Sequence, residues 1–249
     1  MKKLRVCYLV LSFMFACGSS YATTAVFSES VSKDCLRTIK RMELKEGIPN
    51  GLLHSISLVE TNIGQTGKYY PWPYTIRLDR YKGKVITDID LAFEELDLLV
   101  DLGFKNFDLL LNGQKYYSLS SSNLEDVLNT ATDAETIHIS ARSTIKYLKN
   151  QQEAEKVITN LESHNWTHFK VGVMQLSYNS LKTELNDVSE ALNPYTNTGI
   201  MIKQLKKIRR QHTWWEAVGK YHSKQKTKAK RYVKNVWSMY QRVHKIRVR

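Results

Sequence analysis

Glu60 is the carboxylate whose position suggests chemistry. It lies four residues after Ile56 and seven after Leu53, so the three share one flank of a helix. The pattern predicts that helix from about Asn50 to Glu60, with Leu52, Leu53, Ile56 and Val59 as its apolar stripe and Asn62 and Gly64 as stop signals. Glu60 then sits in the last turn, the wrong end of the helix dipole for a negative charge, beside apolar surface that also disfavours charge. Both effects favour a protonated carboxyl, which a general acid requires. An ordinary exposed carboxylate at a helix end has the same local pattern. Other chemistries lack their residues: there is no paired Cys or His spacing, no Gly-rich phosphate loop and no Gly-x-Ser-x-Gly elbow. Neither a metal nor a cofactor is expected. The seven histidines are scattered, and His222 is the one of most interest. A mechanism needing a second acid would draw on Asp79 or Asp108.

Ile48-Pro49-Asn50-Gly51-Leu52-Leu53 through Ser57-Leu58-Val59-Glu60-Thr61 resembles the catalytic segment of the lytic transglycosylases, a lysozyme-like family typified by the soluble lytic transglycosylases. Four further blocks resemble the catalytic domain of the same family. Pro71-Trp72-Pro73-Tyr74-Thr75 resembles a stretch found in the branch associated with conjugation and type IV secretion. Val171-Gly172-Val173-Met174-Gln175-Leu176 is similar to the family's Val-Gly-Leu-Met-Gln turn, and Leu192-Asn193-Pro194-Tyr195-Thr196-Asn197 to its Leu-Asp-Pro-x-x-Asn helix start. Trp215-Glu216-Ala217-Val218-Gly219-Lys220-Tyr221-His222-Ser223 resembles its Trp-x-x-Ala-Val-x-x-Tyr-His-Ser segment. The blocks follow family order. The sequence departs from the pattern at Thr61, where Ser is usual, at Lys170, where Asp is common, and at Ser177, where Asn is common. Residues from about 80 to 111 look inserted.

The resemblance implies cleavage of the MurNAc–GlcNAc β-1,4 bond of peptidoglycan with closure of a 1,6-anhydro ring. Glu60 would be the single acid and base, since the sugar's own C6 hydroxyl replaces water and no second carboxylate is needed. It also implies substrate contacts from Thr61, Gly172, Met174, Gln175 and Tyr221, with Asn179 a further polar candidate. Trp72 and Tyr74 would stack on sugar rings or plug a rigid loop. Two other functions remain open: a hydrolytic muramidase, and an inactive peptidoglycan-binding component of a secretion apparatus.

Periodicity outlines the elements that must position these residues. Helices are expected over Ser32–Glu46, Asp90–Leu102 (ended by Gly103), Ser143–Leu161, Asn197–Arg210 and Thr227–Val243, with a further helix start at Ser120. Asn112-Gly113 marks a hairpin turn, while Tyr74–Leu78 and Thr136–Ser140 alternate like strands. Thr213 and Glu216 form a capping box, so Glu216 is not a catalytic candidate. The fold class is mainly α, an α+β chain with one or two short β-hairpins, and the resemblance implies a lysozyme-like transglycosylase fold.

The 249-residue chain is long enough to bury one core. Its first 22 residues read as a signal peptide, with a basic start, an apolar run from Val6 to Ala16, and Ser20-Tyr21-Ala22 as the cleavage pattern. Residues 23–249 would form a single exported, periplasmic catalytic domain; lipidation at Cys17 is the alternative. Removal of Cys7 and Cys17 leaves Cys35 without an internal partner, so it is expected to be a small buried hydrophobe. The net charge is +13, of which three charges sit in the leader. From Met201 onward, sixteen Lys or Arg stand against one acid, Glu216, so the residues between the leader and Met201 are net acidic by five. A basic C-terminal helix attracts polyanions. In an exported chain these are anionic wall or membrane-surface components, a solvated helix face being the plain alternative, and nucleic acid is not expected. The resemblance also implies an envelope-spanning secretion or conjugation complex as a partner.

Overall fold

The computed structural model describes residues 27–65, 68–131 and 134–245; the expected signal peptide and the lipidation alternative at Cys17 lie outside them. Along the chain come α1 (Glu29–Lys45), α2 (Leu52–Thr61), β1 (Asn62–Gln65), β2 (Lys68–Pro71), β3 (Thr75–Leu78) and β4 (Val85–Ile86). Then follow α3 (Ile89–Leu102), β5 (Phe107–Leu111), β6 (Gln114–Leu119), α4 (Ser121–Asn129), β7 (Ile137–Ala141), β8 (Thr144–Tyr147) and α5 (Gln151–Ser163). The chain continues through β9 (Phe169–Val171), β10 (Leu176–Ser177), α6 (Tyr178–Lys182), a 3-10 turn (Val188–Leu192), α7 (Pro194–Arg209), α8 (Trp214–His222) and α9 (Lys226–Lys245). Helix predominates, so the class is mainly α with β. The one or two hairpins expected are too few: ten strands form three sheets among the described residues. No helix among the described residues is long and apolar enough to cross a membrane.

α2 is central. An apolar stripe was expected, but Leu52, Leu53, His54, Ser55, Ile56, Ser57 and Leu58 are all buried, so other elements cover the helix almost all round. Its hydroxyls are satisfied within the helix: Ser55 donates to the Gly51 carbonyl (2.6 Å), Ser57 to His54 (2.7 Å) and Thr61 to Ser57 (3.0 Å). Glu43 of α1, itself buried, accepts from the backbone N–H of Gly51 (2.9 Å) and of His54 (3.1 Å). A carboxylate there meets both the unpaired N–H groups and the positive end of the dipole. This fixes the start of the helix that carries Glu60 in its last turn.

The sheet below the site has strand order β10-β9-β3-β8, antiparallel throughout. Ile76, Leu78, Phe169, Val171 and Leu176 join the core. The alternate residues Arg77, Lys170 and Ser177 stand opposite one another in register and share the other face. The expected single helix over 143–161 is therefore wrong at its start. Thr144–Tyr147 pairs with β3, as its β-branched and aromatic residues favour, and the helix restarts at Asn150, whose side chain accepts from the Glu153 N–H (2.9 Å).

β3 and β8 are sheet neighbours, yet 65 residues separate Leu78 from its partner Thr144. Within them lies a second sheet, β4-β7-β5-β6, with α3 and α4 packed on it. The bridge between Tyr81 and Ala141 closes the neck of this excursion. The stretch 80–111 expected as an insertion lies within this excursion, as does Asn112-Gly113, the hairpin turn between β5 and β6.

The Gly172–Gln175 turn, between β9 and β10, is held by Asn197 of α7. The buried Asn197 amide donates to the Val171 carbonyl (3.0 Å) and accepts from the Met174 N–H (2.7 Å). Gly172 has φ 80°, and a side chain there would collide with Asn197 and with the Ala191 carbonyl. Asn197→Ala is expected to leave both backbone groups unpaired and to lower stability by about 3 kcal/mol in urea unfolding. In the same core, burial pushes the Cys35 thiol up to about 12. In a chain starting at Thr23, Cys35 should not react with Ellman's reagent at pH 8 until denaturant unfolds the protein; fast reaction in native buffer would mean that α1 opens.

Candidate active site

The Glu60 carboxylate is buried, at 6% exposure, and both its oxygens are engaged. Tyr232 of α9 donates its hydroxyl to Oε1 (2.7 Å), and Arg77 Nη1 of β3 lies 3.2 Å from Oε2. Arg77 Nη2 also donates to the Glu60 backbone carbonyl (3.0 Å), one of the acceptors a helix C-terminus leaves open. The guanidinium thus spends one nitrogen on the carboxylate and one on the backbone, and the pair is not bidentate. The expected setting of apolar neighbours holds only in part: the charge is buried but compensated.

Aromatic side chains close one side. His222 stacks on Tyr232, with ring centroids 3.9 Å apart and planes 5° apart. Burial, then the charge of Glu60 and the hydrogen bond to it, hold the Tyr232 hydroxyl far above its ordinary range, so it stays a donor. Burial and Glu60 also raise the Tyr221 hydroxyl. His222 is shifted down, first by burial; Glu60 opposes this and Lys170, Arg77 and Arg231 add to it, so its ring is neutral at neutral pH.

Glu60 lies between two cavities and lines both. One, of about 440 Å³, is bounded by β9, β10, α6, α7 and α8 and includes Gln175, Tyr221 and His222. The other, of about 390 Å³, lies between α2, β3, β8 and α9 and includes Asn62, Arg77, Tyr147 and Asn235. Both volumes fall within the roughly 300–1,000 Å³ usual for small-ligand sites. Among the described residues lining either, Glu60 is the only carboxylate.

Of the expected contact residues, the structure brings Gln175 and Tyr221 to the first cavity. Gln175 is held in a left-handed backbone conformation (φ 51°), and its amide donates to the carbonyls of Gly172 (2.8 Å) and Thr75 (3.1 Å). The other expected contact residues line neither cavity. Met174 is fully buried in the core, and Gly172 allows the close approach of Asn197. Thr61 is fully buried, its hydroxyl bonded to Ser57 and accepting from the Trp72 N–H (3.2 Å). Trp72 is fully buried, its ring N–H given to the Leu148 carbonyl (2.7 Å), so it plugs the loop and offers no stacking face. Tyr74 packs edge-on against Trp72 (5.6 Å), and neither it nor the exposed Asn179 lines either cavity beside Glu60.

The acids a hydrolase would use are elsewhere. Asp79 follows β3 and lines neither cavity. Asp108 belongs to the excursion, where burial raises its carboxyl but Arg142 (2.9 Å), the Ser118 N–H (3.0 Å) and Arg80 hold it below its ordinary range overall.

Sequence reasoning missed Arg77 and Tyr232. Arg77 carried a signal, since alternation along β3 sets it opposite Ile76 and Leu78. Tyr232 looked like part of an ordinary apolar stripe, and the hydroxyl that reaches a residue 172 positions away leaves no local mark.

Arg77→Met is expected to lower stability by about 3–5 kcal/mol by leaving a buried charge unpaired. Adding Glu60→Gln should recover much of that loss in the same urea titrations; additive effects would show that the pair is not coupled. Set against family models, curated proteins and solved structures, the chain matches none of them.

Proposed function

We propose that the chain is an exported peptidoglycan lytic transglycosylase with a lysozyme-like catalytic domain and Glu60 as its acid and base. The observation that carries this reading is that, among the described residues, Glu60 is the sole carboxylate lining the cavities on either side of it. A glycosidase that activates water generally needs two carboxylates across the scissile bond. A reaction in which the sugar supplies its own nucleophile needs one.

In this mechanism Glu60 gives its proton to the glycosidic oxygen as the C1–O4 bond breaks. It then takes the proton of the C6 hydroxyl as the C1–O6 bond forms, which returns the carboxyl to its starting state. The first half requires a protonated carboxyl, so the single Arg77 contact opens as the sugar enters. The second half uses the carboxylate, which Tyr232 orients through Oε1 while its own hydroxyl stays protonated. Tyr221 and Gln175 border the sugar on the side of the first cavity. Export to the periplasm and service to an envelope-spanning secretion or conjugation complex belong to the same proposal, through the signal-like leader and the Pro71–Thr75 block.

The Arg77–Glu60 pair also favours a second reading, a glycan-binding protein without catalysis, because a paired carboxylate is not a general acid until it is released. One experiment separates the readings. The protein from Thr23 onward and its Glu60→Gln variant are incubated with isolated sacculi, and the soluble products are weighed by mass spectrometry. Wild type should release 1,6-anhydro-muramyl products and Glu60→Gln at least about a hundredfold less. Reducing muramyl ends would indicate a hydrolase. No release by either, with sedimentation onto sacculi retained, would leave the binding role.

A further inference from the structure

The first cavity has an uneven charge. Lys170 of β9, Lys207 of α7 and Lys220 of α8 line it, and its only acid among the described residues is Glu60, which Arg77 already occupies. None of the three lysines is in an ion pair among the described residues. Nearby acids serve other cations: Glu184 pairs with Lys203 (2.6 Å) and Glu46 with Lys206 (2.7 Å). Glu216, whose charge reaches Lys220, is committed to the cap of α8 through Thr213 (2.8 Å). Three like charges gathered from three elements around one cavity repel each other in the empty protein, and an anionic ligand relieves that repulsion.

The second cavity differs. Its two cations are engaged, Arg77 with Glu60 and Arg242 over the ring of Tyr69. The other groups there, such as Asn62, Tyr147, Asn235 and Ser238, are uncharged. The two sides of Glu60 therefore suit different parts of one ligand. A glycan backbone of N-acetylated sugars is neutral; the anionic part of peptidoglycan is the short peptide attached to the lactyl group of the muramyl residue, with its free carboxylates.

We infer that the first cavity is a subsite for the carboxylate-bearing stem peptide of the muramyl residue, with Lys170, Lys207 and Lys220 as its counter-charges. The inference rests on the transglycosylase reading for the identity of the glycan. Lys170 then has a use: at a position where the resembled family often has an acid, it turns one wall of the cavity positive. The serine hydroxyls of Ser177 and Ser180 on the same wall can bond to peptide amides.

The test compares peptide-bearing glycan strands with strands stripped of peptide by an amidase and then amidated at the lactyl carboxyl that this cleavage frees. Wild type should show a higher kcat/KM on the peptide-bearing strands. Each of Lys170→Gln, Lys207→Gln and Lys220→Gln should lower that preference by about threefold, as expected of partly exposed charge pairs, and added salt should lower it too. Lys→Arg at the same positions should keep it, which separates loss of charge from loss of fold. An equal kcat/KM on both substrates in wild type, or a preference unmoved by the three Gln substitutions together, overturns the inference. A binding arm separates its failure from that of the enzyme reading. Calorimetry on the Glu60→Gln protein compares a muramyl disaccharide carrying its tetrapeptide with the same disaccharide bearing an uncharged lactyl amide in its place. If wild type cleaves nothing, the transglycosylase reading fails. Tighter, lysine-dependent binding of the peptide-bearing ligand would still uphold the subsite, and equal binding of the two would sink it.

Discussion

A buried carboxylate has to be compensated, and at Glu60 the compensation comes from two other elements. Desolvating an ion costs several kcal/mol even after the protein relaxes, and only well-placed partners offset this. Arg77 comes from β3 and Tyr232 from α9, so α2, β3 and α9 cannot shift independently without exposing or orphaning the charge. Each partner also does something besides neutralise. Arg77 takes the Glu60 carbonyl that the helix end leaves open, and Tyr232, stacked on His222, connects the carboxylate to the turn between α8 and α9.

The remaining supports hold that triad in place without touching it. Glu43 fixes the first turn of α2 through two backbone N–H groups, and the Thr61 hydroxyl ties its last turn to Trp72. A helix pinned at both ends carries its side chains at set heights, so the position of Glu60 follows from residues 17 positions before it and 12 after it. Asn197 does the same for the Gly172–Gln175 turn, which brings Gln175 to the cavity. Glu43, Thr61 and Asn197 are themselves buried and paired, the condition under which polar groups in a core specify one arrangement.

Much of this was legible from local pattern. The Glu60 helix, the Gly103 stop, the Asn112-Gly113 turn and the Thr213–Glu216 box each depend on neighbours within a few residues, and the structure has all four. What local pattern could not supply were partners distant in sequence. Thr144–Tyr147 reads as helix until β3 is present to pair with it. Met174 and Trp72 have the composition of ligand contacts, yet lie in the core because the turn and loop carrying them fold inward. Arg77 stood on the polar side of an alternating strand and was open to inference; Tyr232, an aromatic in an amphipathic helix, was not.

The excursion between β3 and β8 shows why the site can keep its geometry while the chain around it grows. Neighbouring antiparallel strands end about 5 Å apart, so any segment joining them starts and finishes at nearly the same point. Closing a longer connection there costs only about 0.6 kcal/mol per doubling of length, and a segment with its own core offsets that cost. The Tyr81–Ala141 bridge seals the neck, and Phe107, Leu109, Ile137 and Ile139 fill the second sheet's interior. The register that places Arg77 opposite Lys170 lies on the other edge of β3 from β8, where the excursion returns. Length added at the β8 edge therefore leaves the charged face of the sheet undisturbed, and the three lysines of the first cavity come from β9, α7 and α8, away from that edge.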